Sequence, residues 1–272
     1  MAYQGSKYLS KVMNRDGYVI LLPNVGTRAD LIQTNPPDPY AESVTQLFPL
    51  GTKLIQGERV WRYSKVGGVA LDIGAVQQQA KAVHAEQDDD IAVGAGFDIG
   101  VSVISFTGTS NLAADPLNTT NGLAEGYIYF NVAAGLGQCY KIKSHTLVSA
   151  TEIPLTMYDA LTVALTTSSK AGLVQNPFAN VIASEAVVAG IVTGIPMLTT
   201  TASYYVWLQR GGPAAVAVNT TIALGTTVVA GITAAKVDPE ASVTGEVNVG
   251  YCMTPGVTAG GDHALIFLTL DS

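Results

Sequence analysis

Gly94, Gly96 and Gly100 are the nearest this sequence comes to a loop that cradles phosphate. A dinucleotide loop needs its third glycine one residue earlier and a helix after it, so that backbone N–H groups meet the pyrophosphate. Here "VSVISF" at 101–106 follows, and the glycines read as strand glycines. Asp88, Asp89 and Asp90 cluster carboxylates that a hard cation could use, but they lack the alternating spacing and distal Glu of a calcium loop. They read as the solvated end of a helix. His84, His145 and His263 stand apart from one another and from Cys139 and Cys252, so no zinc-ligand spacing exists. The two cysteines form no CxxC and no disulfide framework, and read as reduced, buried thiols. No nucleophile turn of the GxSxG kind occurs. No catalytic residue, metal or cofactor is therefore expected, and the chain is read as a non-enzyme.

The side chains left with something to do are aromatic and basic. "FPLGTKLIQGERVWRYSKVGG" (48–68) places Phe48, Arg59, Trp61, Arg62, Tyr63 and Lys65 on and around a hairpin, "TKLI" and "RVWRYSK" flanking "QGE". Alternation puts Trp61 and Tyr63 on one face and Val60, Arg62 and Ser64 on the other. In "YYVWLQR" (204–210), Tyr205 and Trp207 share a face. Such rings stack sugars or bases in some proteins, but packing in a core or a subunit interface is the commoner use. These eight residues are the candidates for contact with another protein surface.

Composition bounds the partners. Of 272 residues only 13% are charged, about half the usual share, and the shortfall suits a surface that meets other subunits. The net charge of −7 is uneven: residues 1–81 carry nine bases and six acids, the remainder five bases and fifteen acids. An acidic body disfavours nucleic acid. The mildly basic first third suits an acidic protein surface. No run approaches the ~20 apolar residues that span a bilayer, and "MAYQGSKYLSKV" lacks the apolar core of a secretory signal. A soluble protein of a reducing cytoplasm is expected.

The elements that would position these residues are mostly strands. Residues 1–50 read as an extended N-terminal arm, with a short strand at Tyr18–Leu22 and three prolines in "QTNPPDPYAES" (33–43). "GAVQQQAKAVHAEQ" sets Val76, Ala80 and Val83 at i, i+4, i+7, which predicts one short helix near 74–87. From 91 onward, short β-branched and aromatic runs alternate with Gly, Pro, Asn and Thr, the pattern of a β-sandwich or barrel. The expected organisation is an arm (1–50), a hairpin, helix and β segment (51–110), and a β-sandwich or barrel body (111–272).

Taken together, "FPLGTKLIQGERVWRYSKVGGVAL" (48–71), "GYIYFNVAAGLGQCYKIKSHT" (126–146), "NPFANVI" (176–182) and "YYVWLQRGGPAAVAV" (204–218) resemble segments of structural proteins of tailed bacteriophages. The best fit in that group is the head decoration, or cement, protein. The resemblance implies a mainly β, homo-oligomeric protein, trimer or dimer, added to the outside of the capsid. Its partners would be the major capsid protein and its own copies, and its place the virion surface after assembly in the host cytoplasm. It transfers no catalytic residue. A tail or fibre-associated protein and a carbohydrate-binding virion domain are the alternatives.

Overall fold

The fold was analysed in a computed structural model that describes residues 12–15, 18–21, 37–80, 91–107, 120–146, 153–241, 245–255 and 263–271. It is all β: among the described residues there is no helix. In chain order the strands begin with β1 (Val12–Arg15), β2 (Tyr18–Leu21), β3 (Lys53–Gln56), β4 (Arg59–Lys65) and β5 (Gln77–Gln79). Next come β6 (Ile91–Ala92), β7 (Val103–Phe106), β8 (Tyr127–Val132), β9 (Cys139–His145), β10 (Ile153–Met157) and β11 (Lys170–Val174). The chain ends with β12 (Val181–Ala183), β13 (Val192–Pro196), β14 (Tyr205–Ala217), β15 (Thr227–Ala230), β16 (Asp238–Pro239), β17 (Val247–Cys252) and β18 (His263–Thr269). Contacts group these into two units, one of residues 1–81 with 177–272 and one of residues 82–176. The sequence reading set its breaks at 50 and 110.

The 82–176 unit is a six-stranded sheet in the order β6-β11-β8-β9-β10-β7. Its two ends meet through the Val93–Phe106 bridge, so the sheet curls into a barrel. Alternation explains the core. In β9, Tyr140 and Ile142 point inward while Cys139 and Lys143 face out. Phe106, Ile128, Phe130, Leu155 and Leu173 join them inside.

The other unit is a twelve-stranded sheet that closes on itself twice. Strands β14, β4, β12, β5 and β13 form one circuit, completed where Val66, just past β4, bridges Val181 of β12. Strands β14, β18, β17, β15 and β16 form the second, completed by the Val218–Val237 bridge. Closure removes exposed sheet edges, which otherwise recruit other chains. The hairpin read from the sequence is present as β3 and β4, with Gly57 at φ 58° in its turn.

A short helix was expected near 74–87, and its described part, residues 74–80, contains none. Gln77–Gln79 form β5, with β12 on one edge and β13 on the other. Neighbours supply what helix bonds would have: the Gln77 side chain donates to the Ala75 carbonyl, and Gln78 accepts from the Glu185 N–H. Tertiary pairing overrides a modest local propensity. Residues 81–90, including His84 and Asp88–Asp90, lie outside the described residues.

His145, 4% exposed at the end of β9, holds the loop at 120–126. Its Nε2 accepts from the Leu123 N–H at 2.8 Å, its Nδ1 lies 2.8 Å from the Thr146 carbonyl, and its backbone exchanges bonds with Asn121. That arrangement fixes the neutral tautomer with the proton on Nδ1. Burial pushes the imidazole below its ordinary pKa, with the Thr146 carbonyl opposing. The native state thus binds the proton more weakly than the unfolded chain, and stability falls as pH drops below about 6.5. Denaturant unfolding of the parent and of His145→Gln should show the parent ahead at pH 7.5 by about 1 kcal/mol. The gap should close by pH 5; a gap that stays constant would refute this role.

Candidate functional site

Eight residues were singled out by type, and the structure sorts them into three settings on the first unit. Phe48, Tyr63, Tyr205 and Trp207 form one aromatic cluster. Register brings them together: β4 pairs with β14 so that Tyr63 stands opposite Trp207 and Lys65 opposite Tyr205. Directly opposed residues share a face. Tyr63 meets Trp207 edge-on at 5.0 Å and stacks on Tyr205 at 5.9 Å, while Phe48 lies 5.3 Å from Trp207. Phe48, Tyr63 and Trp207 are each only 2% exposed, so three of the eight candidates are core rings of their own unit. Trp61 is buried too, with Arg59 stacked 5.3 Å from its ring centroid.

A strap at 37–48 crosses this cluster. Ser43 exchanges both backbone hydrogen bonds with Tyr205, at 2.9 and 2.8 Å. The Glu42 carboxylate accepts from the N–H and the hydroxyl of Thr201, both at 2.7 Å. Leu47 N–H donates to the Tyr63 hydroxyl at 3.0 Å. Between strap and rings lies a recess of about 220 Å³, floored by the aromatic cluster with Leu47 and rimmed by Asp38 and Glu42. Burial pushes the Tyr63 phenol far above its ordinary pKa, so it keeps its proton. Lys65 lies over the Tyr205 ring at 5.7 Å, and Arg59 donates to the Tyr40 hydroxyl at 2.7 Å.

Arg62 belongs to the third setting, on the opposite face of β4. Its Nε and Nη2 grip Asp271 in a two-pronged pair, and Nη1 donates to the Gly51 carbonyl. Lys53 and Arg210 also lie within 4 Å of the same carboxylate, at 3.5 and 3.7 Å. Arg210 also donates to the Leu270 carbonyl beside Asp271 and to the Val192 carbonyl, which ties in β13. Three cations on one carboxylate lock Asp271 to β3, β4 and β14. The sequence reading missed Asp38, Glu42, Asp271 and Arg210. An acid flanked by prolines and one at the end of a strand carry no motif. Among the described residues the Asp38 carboxylate bonds only the nearby Tyr40 N–H, and the fold alone supplies the partners of Asp271.

A separate surface lies on the outer side of β14, β18 and β17. In β18 the side chains alternate strictly, with Ala264, Ile266 and Leu268 inside and Leu265, Phe267 and Thr269 outside. Pro213, Phe267 and Tyr251 form one cross-strand row, and Ala215 and Leu265 the next. Tyr251 is 47% exposed, Phe267 39% and Leu265 36%, and these five residues carry no charge.

No group of three or more metal-ligating side chains occurs among the described residues, and no described helix is long and apolar enough to cross a membrane. Compared with family models, with curated proteins and with solved structures, the chain matches none.

Burial raises the Asp271 carboxyl, but the hydrogen bonds and charge of Arg62, with the charges of Lys53 and Arg210, outweigh it and hold the group below the usual carboxylate range. Its contribution is therefore complete above about pH 4 and lost as pH falls through the lower native value. Asp271→Asn should lower unfolding stability by about 1.5–3 kcal/mol at neutral pH, and the deficit should shrink near pH 2. Urea titrations at the two pH values test this; a loss that is unchanged by acid would remove the ionic explanation.

Proposed function

We propose that this protein is a structural component of a virion, a decoration or cement protein on a tailed-phage head that works by adhesion alone. The observation that carries the reading is the uncharged outer face of β14, β18 and β17, with Tyr251, Leu265 and Phe267 side by side. Contiguous exposed apolar side chains on a sheet mark a surface made to be covered. A chain of net charge −7 repels its copies except where a neutral patch meets a neutral patch. The occupant assigned to this face is a second copy of the chain. Phage-like motifs, low charge content and an all-β fold support the same reading. The basic segment around β3 and β4 is assigned to the major capsid protein, and the chain is assigned no catalysis.

Two measurements test the proposal. Mass spectrometry and immunogold labelling of purified particles should find hundreds of copies on heads; label on tails, or none on particles, would overturn the assignment. Light scattering of the purified protein should show an oligomer. The double change Leu265→Asp with Phe267→Asp should convert it to a folded monomer, weakening self-association at least 100-fold. An oligomer that survives the double change would exclude this face.

A further inference from the structure

From the recess beneath the 37–48 strap we infer a binding site for an aliphatic chain that ends in an ammonium or guanidinium group. Four observations carry it. The floor is apolar and rigid, since Phe48 and Trp207 are almost wholly buried and hold one another at 5.3 Å. The charged residues lining the recess are Asp38 and Glu42, both acidic. Glu42 is held in place by Thr201, whereas Asp38 uses Oδ1 for the Tyr40 N–H and has no partner for Oδ2 among the described residues. Finally, Tyr63 accepts from Leu47 and has no acceptor for its own proton among the described residues.

Size and polarity then select the ligand. At about 220 Å³ the recess falls below the ~300–1,000 Å³ of sites that take drug-sized molecules. One long side chain fits. Lysine and arginine combine an apolar stem with a charged head, which matches an apolar floor below an acidic rim. A carboxylate a few ångströms from a cation at a partly shielded site attracts it well beyond the bulk-water value. A sugar would need an open ring face to stack on, and at 2% exposure Trp207 offers little. The chain's own cations nearby already have partners: Lys65 lies over the ring of Tyr205, which itself lines the recess, and Arg59 donates to Tyr40. The source of the ligand is either a basic side chain of a partner protein or a free organic cation. This site stands independently of the assembly reading, because it uses neither β17 nor β18.

The test is a titration of the full-length protein followed by amide NMR, with n-butylammonium, n-butylguanidinium and Nα-acetyl-lysine methylamide as probes, and n-butanol and glucose as controls. The cations should produce saturable shifts at residues 38–48 and at Trp207, weakened at least 5-fold by Asp38→Asn and by 0.5 M NaCl. Asp38 is exposed, so the variant should keep the parent spectrum elsewhere. Binding of the capped lysine as tightly as butylammonium identifies a partner side chain; exclusion of the capped lysine identifies a free cation. Equal shifts with butanol, preferential binding of glucose, or cation shifts indifferent to Asp38→Asn would each overturn the inference.

Discussion

The first unit depends on one strand doing two jobs. β14 is thirteen residues long, and its halves belong to different circuits: Tyr205–Gly211 pair with β4, while Gly211–Ala217 pair with β18. Gly211 is the shared point, opposite Val60 on one edge and Thr269 on the other. Such a handover needs local irregularity, and the chain supplies it in "QRGGP". The register shifts between Gln209 and Gly211, and Gly212 takes φ 75° where any Cβ would lie 2.5 Å from the Glu58 carbonyl. Only glycine tolerates that approach. The Gln209 side chain donates to the Gly211 and Pro213 carbonyls and secures the bend from inside.

That handover sets what each circuit presents. Upstream of it, β14 brings Tyr205 and Trp207 against Tyr63 and so builds the floor of the recess. Downstream, Pro213 and Ala215 lie on the outer side beside Phe267 and Leu265. The Asp271 cluster sits at the join, with Arg62 from β4, Arg210 from β14 and Lys53 from β3 converging on the residue that follows β18 by two positions. A partly buried carboxylate with a two-pronged arginine is worth more for fixing register than for raw stability, because desolvation cancels much of the attraction. Here it ties the end of β18 to the strands of the other circuit.

How much of this was legible in the sequence follows from how local each signal is. Class was legible, since β-branched and aromatic runs between turn residues report strands directly. The β3–β4 hairpin was legible because its turn, its alternation and its glycine are contiguous. Gln77–Gln79 misled, because Val76, Ala80 and Val83 mimic a helical face and the strands that capture the segment arrive a hundred residues later. The aromatic residues were singled out as candidates for contact with another protein surface, but type alone does not say whether a ring packs inward or against a partner. Burial decides, and it sends Phe48, Trp61, Tyr63 and Trp207 inward. Glu42 of the recess rim and the anchor at Asp271 were invisible for the same reason: Thr201 lies 159 residues from Glu42, and Arg62 lies 209 residues from Asp271.

This distribution of rings and charges bears on the adhesive role proposed above. Aromatic residues that build the core cannot also serve as the outward anchors that dominate most protein interfaces. Under the proposed function, adhesion would pass to what is left outside: an aliphatic and aromatic patch on β17 and β18, and acids over an apolar recess. The first is non-directional and scales with the area covered. The second is directional, because a cation must meet carboxylates held by the strap. On the proposed reading, a protein that occupies one position on a regular lattice would need both, area for affinity and a charged register for placement, and the two surfaces lie on opposite sides of the β14 handover.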